Sequence, residues 1–143
     1  TRDLVGVAGM RRKVIGPEGS RLGVEYYSPL LRARVVGGID TSLAVSSEYW
    51  LLICDEVRAS GAEQLLVLDA MQGEVMTPEE LGRFFEIISG RGLEQVRLAY
   101  VEGRADQIPR IEYAELMARE RGYRIRMFNN ETDAVVWLRH GMH

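Results

Sequence analysis

Two adjacent segments constrain the fold of this chain more than any other part of the sequence. LLVLD at 65–69 is an almost continuous apolar run ending in Asp69, as in a strand covered on both faces within a parallel sheet. TPEE at 77–80 then predicts a helix start, because Thr77 is a good N-cap, the proline suits the first helical position, and the second glutamate completes a capping box. A buried strand followed by a well-capped helix predicts an α/β fold.

The flanking segments continue this alternation of strand and helix patterns. Alternating apolar residues within 22–36 predict two short strands that form a hairpin, and residues 40–42 offer N-caps for a long helix. Later strands are predicted at 96–101 and 123–127, and Asn130 caps a short last helix. The predicted order is therefore β-β-α-β-α-β-α-β-α, a mixed sheet with mostly parallel strands covered by helices.

Length and composition indicate one domain, which we place at residues 21–143 after a poorly ordered lead-in over residues 1–20. The chain has 143 residues and a net charge of −3, which disfavours a nucleic-acid partner. Its one cysteine excludes an intramolecular disulfide, and its longest apolar run, at 49–54, is far short of the about 20 residues of a membrane span. With no secretory signal in the first residues, we expect a cytoplasmic protein without a membrane span.

The sequence supplies none of the usual constellations of an active site. No Gly-x-Gly-x-x-Gly follows a predicted strand and no Walker sequence is present, so we expect no cofactor. His140 and His143 lie at the extreme C-terminus, where nothing positions them as ligands, and Cys54 falls on the apolar stripe of the first helix. We therefore predict no catalytic residue, no metal site and no enzymatic activity.

Two aspartates are candidate ligand contacts. Asp69 ends the central strand, and ligands of open α/β sheets bind beyond the carboxyl ends of strands. It could meet a ligand hydroxyl or amine, or hydrogen-bond the backbone amides of its own loop. Asp40 could also contact a ligand, or it could simply be the N-cap of the long helix.

Two loops supply the remaining candidate surface. Met71, Val75 and Met76 are apolar residues in a loop, which favours a protein interface or a pocket lid, although they could also fold back over the core. Gly103 and Arg104 lie in a β-to-α loop at the same sheet edge and are the best candidates there for a ligand contact.

Four motifs resemble the STAS-like family, which includes anti-sigma factor antagonists and STAS/SEC14-like bacterial relatives. They are GGID at 37–40, LLVLDA at 65–70, AYVEG at 99–103 and ARERGYRIRMFNNETDAVVWL at 118–138. The resemblance covers about 120 residues and implies a STAS-like fold and a regulatory or protein-interaction module. By analogy with the family, the segment after Asp69 would be the recognition surface, joined at its end by Thr77.

The chain departs from the family at its phosphorylation switch. Classical antagonists carry an Asp-Ser-x-Gly segment after the central strand, whereas this chain has MQGEVMTPEELG at 71–82. Thr77 is the one hydroxyl there, and its capping role explains it without phosphorylation. We therefore expect a protein-interaction module that lacks this serine; the alternative is a carrier of a lipid or nucleotide in the crevice beyond the central strand. The sequence names neither partner nor ligand, and it leaves a homodimer open.

Overall fold

A six-stranded mixed sheet forms the centre of the protein in the computed structural model, which describes residues 11–15, 20–37 and 42–140. Strand order equals chain order; the first two pairings are antiparallel and the next three are parallel. The strands are β1 (Arg11–Ile15), β2 (Ser20–Tyr27), β3 (Leu30–Val36), β4 (Gln64–Ala70), β5 (Arg97–Glu102) and β6 (Arg124–Phe128). The helices are α1 (Leu43–Ser60), α2 (Pro78–Ile88), α3 (Ile108–Glu120) and α4 (Glu131–His140).

The helices divide into two layers, one on each face of the sheet. Helices α1, α2 and α3 are the crossovers between successive parallel strands, and they pack with Leu65 and Val67 of β4 on one face. Leu66 points to the other face, where it packs with Trp137 and Leu138 of α4. Because successive strand residues point to opposite faces, β4 is buried on both sides, as its apolar run predicts.

The predicted lead-in is wrong for Arg11–Ile15, which forms β1 at the edge of the sheet. This segment has no apolar alternation in sequence, and it is a strand because its backbone pairs antiparallel with β2, from Arg11 opposite Val24 to Ile15 opposite Ser20. The pairing covers an edge of β2 that would otherwise present open hydrogen-bonding groups. The other residues of the predicted lead-in lie outside the described part of the chain, apart from Ser20 in β2.

The helix ends follow the predicted capping chemistry. Ser42 caps α1 by accepting a hydrogen bond from the Val45 amide, and Gly61 ends that helix with φ 72°. Asn130 accepts a hydrogen bond from the Asp133 amide at 2.8 Å and so caps α4. In the described part of the chain, no helix combines the length and apolarity needed to cross a membrane.

Candidate functional site

Asp69 and Glu102 lie side by side at the carboxyl ends of the paired strands β4 and β5. Asp69 Oδ1 accepts a hydrogen bond from the Met71 amide at 2.9 Å, and Asp69 Oδ2 accepts one from the Tyr100 hydroxyl. Of the two interpretations of Asp69, its bond to an amide of its own loop is therefore confirmed. The carboxylate also lines a cavity beneath the helices, so its position still allows a ligand contact.

Glu102 and Arg104 form an ion pair whose acidic member is inside the protein. The Glu102 side chain is only 1% exposed, and its two carboxylate oxygens accept from Arg104 Nε at 3.0 Å and Nη2 at 3.2 Å. This two-point geometry suits the planar guanidinium, and the hydrogen bond to Glu102 raises the pKa of Arg104. Sequence reasoning missed Glu102, although two neighbouring parallel strands that both end in a carboxylate are a usable signal.

The loop between β4 and α2, residues 71–77, is held by three side chains from the segment that follows β5. Arg104 donates to the carbonyl oxygens of Gln72 and Gly73, both at 2.8 Å. Gln107 Oε1 accepts from the Val75 amide at 2.8 Å, and Arg110 donates to the Val75 carbonyl at 2.7 Å. Because both its ends and its interior are bonded, this loop has a defined conformation.

Of the alternatives for Met71 and Met76, the structure shows the one in which they fold back over the core, so neither belongs to an exposed interface. Their side chains are 2% and 9% exposed and belong to the core between the sheet and α1–α3. Burying these apolar side chains is favourable, and the bonded loop backbone allows them to turn inward. Val75 is half-buried and lines the cavity, whereas Thr77 is exposed and forms the predicted capping box with Glu80.

The other predicted site residues have different outcomes. Asp40 lies outside the described residues. Gly103 shows no close backbone approach, because a β-carbon there would lie 4.0 Å from the Asn129 carbonyl oxygen. Arg104 does reach the edge of the site, but its guanidinium is occupied by Glu102 and by the loop carbonyl oxygens.

A cavity of about 90 Å³ lies between the sheet and helices α1, α2 and α3. Most of its wall is apolar, and it includes the aromatic residues Tyr49, Trp50, Phe84, Phe85, Tyr100 and Tyr123. Its polar end contains Asp69 and Arg104. Next to them are Gly73 and Val75 of the loop at 71–77, which is called the clamped loop below. The cavity therefore joins an aromatic interior to the charged ends of β4 and β5.

The electrostatics at the polar end reflect burial. Burial is the main cause that raises the pKa of Asp69 above its ordinary value, and the neighbouring Glu102 carboxylate adds to this shift. Burial and the Asp69 carboxylate also raise the pKa of Tyr49 and Tyr100, so both phenols stay neutral hydrogen-bonding groups.

Groups that could do nucleophilic or metal chemistry are not assembled at this site. Burial raises the pKa of Cys54 to about 11, so its side chain is a thiol within the core at neutral pH. Among the residues that the structure describes, no group of three or more histidine, cysteine or acidic side chains is placed to hold a metal ion.

Comparison with known proteins identifies the architecture. No protein-family model matches the chain, and no curated protein is similar to it in sequence. The structure is similar to the crystal structure of an anti-sigma factor antagonist from Mycobacterium paratuberculosis, with a TM-score of 0.56 and 16% sequence identity. The match covers 88% of this chain and 99% of that one. The chain therefore has the STAS-like α/β fold that its sequence motifs predict.

Proposed function

We propose that this protein is a non-enzymatic regulatory module that binds a protein partner through the exposed surface at the start of α2. This surface, called the α2-start surface below, consists of the side chains of Gln72, Glu74, Thr77 and Glu79, all of them exposed. The fold shared with an anti-sigma factor antagonist supports a regulatory role, and the Asp69 carboxylate is already bonded to Met71 and Tyr100 rather than poised for catalysis.

The observation that carries the proposal is the clamping of the loop that presents this surface. Arg104, Gln107 and Arg110 bind both sides of its backbone, so little further loop entropy is lost when a partner binds. A pre-organised surface binds more tightly than a mobile one of equal area for this reason. Burial of Met71 and Met76 leaves the surface polar, so we expect recognition by hydrogen bonds and charge.

Regulation by a phosphorylated serine is not part of the proposal. The loop contains no serine, and the Thr77 hydroxyl accepts a hydrogen bond from the Glu80 amide at 3.3 Å in the capping box. Thr77 therefore has a structural role that accounts for its presence at this position.

Quantitative affinity capture with two matched charge reversals on α2 tests this function. Glu79 and Glu86 are exposed glutamates in the first and the last part of the same helix, so Glu79→Arg alters the α2-start surface and Glu86→Arg is its control. A partner that binds as proposed is captured from lysate by the parent and by Glu86→Arg, and is lost with Glu79→Arg. The same ranking should hold with the purified partner in calorimetry. Equal capture by all three proteins would contradict the proposed surface.

The alternative function, a carrier of a lipid or nucleotide, has less support than the protein-interaction module. Cavities that hold such ligands usually have volumes of about 300–1,000 Å³, and the cavity here has about 90 Å³. The crevice of nucleotide-binding α/β sheets forms where strand order reverses, and the six described strands keep their chain order throughout. We therefore do not propose this alternative as the function.

A further inference from the structure

Three charged side chains meet at the carboxyl ends of β4 and β5, and their charges do not balance. Asp69 and Glu102 are carboxylates, and Arg104 is the cation paired with Glu102; Asp69 and Arg104 also line the cavity. Glu102 engages the guanidinium at two points, so the donors to Asp69 are the neutral Met71 amide and Tyr100 hydroxyl. Because an uncompensated buried charge is costly, this arrangement favours a proton or a further cation beside Asp69.

The cavity wall next to Asp69 is suited to an organic cation. Trp50 is the centre of an aromatic cluster, with ring centroids 6.2 Å from Tyr49, 5.9 Å from Phe84 and 6.4 Å from Tyr100. All four rings line the cavity, and aromatic faces attract alkylammonium ions through their negative electrostatic potential. A metal ion would instead need several oxygen, nitrogen or sulfur ligands, and no such group is placed together in the described residues.

The volume limits the size of the cation. An apolar cavity of about 150 Å³ holds one benzene molecule, and this cavity has about 90 Å³. Since benzene has six non-hydrogen atoms, a cavity of about 90 Å³ has room for about four such atoms. Trimethylammonium has this size, and it also carries an N–H group that can donate to a carboxylate.

We propose that this cavity binds a small alkylammonium ion of the size of trimethylammonium, with its charge at Asp69 and its methyl groups against Trp50 and Tyr100. The site is next to the α2-start surface, because Glu74 of that surface lines the same cavity together with Gly73, Val75 and Met76. Binding of the ion therefore stabilises the loop conformation that presents the partner surface.

Binding should depend on pH through Asp69. The titratable or charged groups that interact with its carboxylate are Tyr49 from α1, Tyr100 and Glu102 from β5, and Arg104 from the following loop. Two further carboxylates line the same cavity, Glu74, which pairs with Arg110, and Glu115 of α3, which pairs with Arg119. Both phenols remain neutral because their pKa values are raised, and Arg104 remains charged. Affinity for trimethylammonium should therefore increase as the pH rises through the pKa of Asp69.

Tryptophan fluorescence provides a direct assay with the full-length chain. Trp137 lies on the opposite face of the sheet, so Trp137→Phe leaves Trp50 as the reporter of the cavity. Trimethylammonium chloride is titrated against matched sodium chloride, with isopropanol and acetate as neutral and anionic molecules of similar size. We expect a saturable change with trimethylammonium alone. An equal response to isopropanol, or no saturable response to trimethylammonium, would overturn the proposal.

Two substitutions then locate the charge that binds the ion. Asp69→Asn should weaken binding by about tenfold or more, whereas Glu86→Gln, at an exposed carboxylate of α2 outside the cavity lining, should change it less than about twofold. Equal binding by Asp69→Asn and the parent would refute the assignment. If Asp69→Asn does not fold, the pH dependence in the parent decides, because pH-independent affinity is incompatible with an Asp69 site. Partner capture is scored separately, so the two proposals can fail independently.

Discussion

Arg104 joins Glu102 at the end of β5 to the backbone of the loop that leaves β4, through bonds to both carboxylate oxygens and to the carbonyl oxygens of Gln72 and Gly73. One side chain therefore fixes the relative position of two loops that are separated by about 30 residues in sequence. The Glu102–Arg104 ion pair therefore holds the two loops together, and it also places the Glu102 carboxylate inside the protein.

Arg104→Met should lower the free energy of unfolding by about 3 kcal/mol, because it leaves the buried Glu102 carboxylate without its cation. This value is at the lower end of the about 3–5 kcal/mol that is usual when one partner of a buried ion pair is removed, because the Arg104 side chain is 32% exposed. Chemical denaturation measures the change. The double variant Glu102→Met, Arg104→Met should recover most of the loss; a double variant as unstable as the single one would contradict this explanation.

The raised pKa of Asp69 predicts a specific dependence of stability on pH. Its carboxyl holds a proton more tightly in the folded than in the unfolded state, so its contribution is fully present below the unfolded pKa and is lost as pH rises through the folded pKa. Asp69→Asn removes this titration. Its stability relative to the parent should therefore increase from about pH 4 toward neutrality. Parallel denaturation curves at each pH measure the difference, which should be constant if Asp69 does not titrate as inferred.

Trp137→Ala should cost about 3–5 kcal/mol, because it removes the ring by which α4 packs on β4 and β5. Val136→Ala is the matched control, since Val136 is the preceding residue of the same helix and is 49% exposed. Urea denaturation of both variants is the measurement. A Trp137→Ala protein that is as stable as the control would show that α4 is not anchored through this ring.

Thr77→Ala should lower stability by about 0.5–2 kcal/mol through loss of the capping box, and Thr77→Ser and Thr77→Asp should stay close to the parent. Thermal unfolding and partner affinity are measured on the same three variants. A phosphorylation switch predicts another result, in which Thr77→Asp changes partner binding while stability is unchanged. Observation of that second pattern would overturn the capping interpretation.

Local chemistry made much of the fold predictable. The Thr77 capping box, the Asn130 cap and the buried run before Asp69 each depend on residues within a few positions of one another, and each has the predicted structure. β1 escaped prediction because Arg11–Ile15 is a strand through its pairing with another segment. Its own sequence lacks the alternation that indicates a half-buried strand.

The site was harder to predict, because its contacts join residues that are distant in sequence. The apolar character of Met71 and Met76 was visible, but whether they face a partner or the core depends on how Arg104 and Gln107 hold the loop. The role of Glu102 also depends on the register between β4 and β5. Register and side-chain direction are set by the assembled sheet, so the sequence pattern indicated the segment and left the orientation of its side chains open.

The agreement between strand order and chain order has a consequence for how the protein forms during synthesis. Each strand after β2 pairs with the strand that precedes it in the chain, so every new strand finds a partner that has already left the ribosome. Among the six described strands, none has to leave a gap for a later one, and each crossover helix can cover its strands as soon as both are present. Since chains fold from the N-terminus as they emerge, this sheet can grow outward from its first hairpin, one strand at a time.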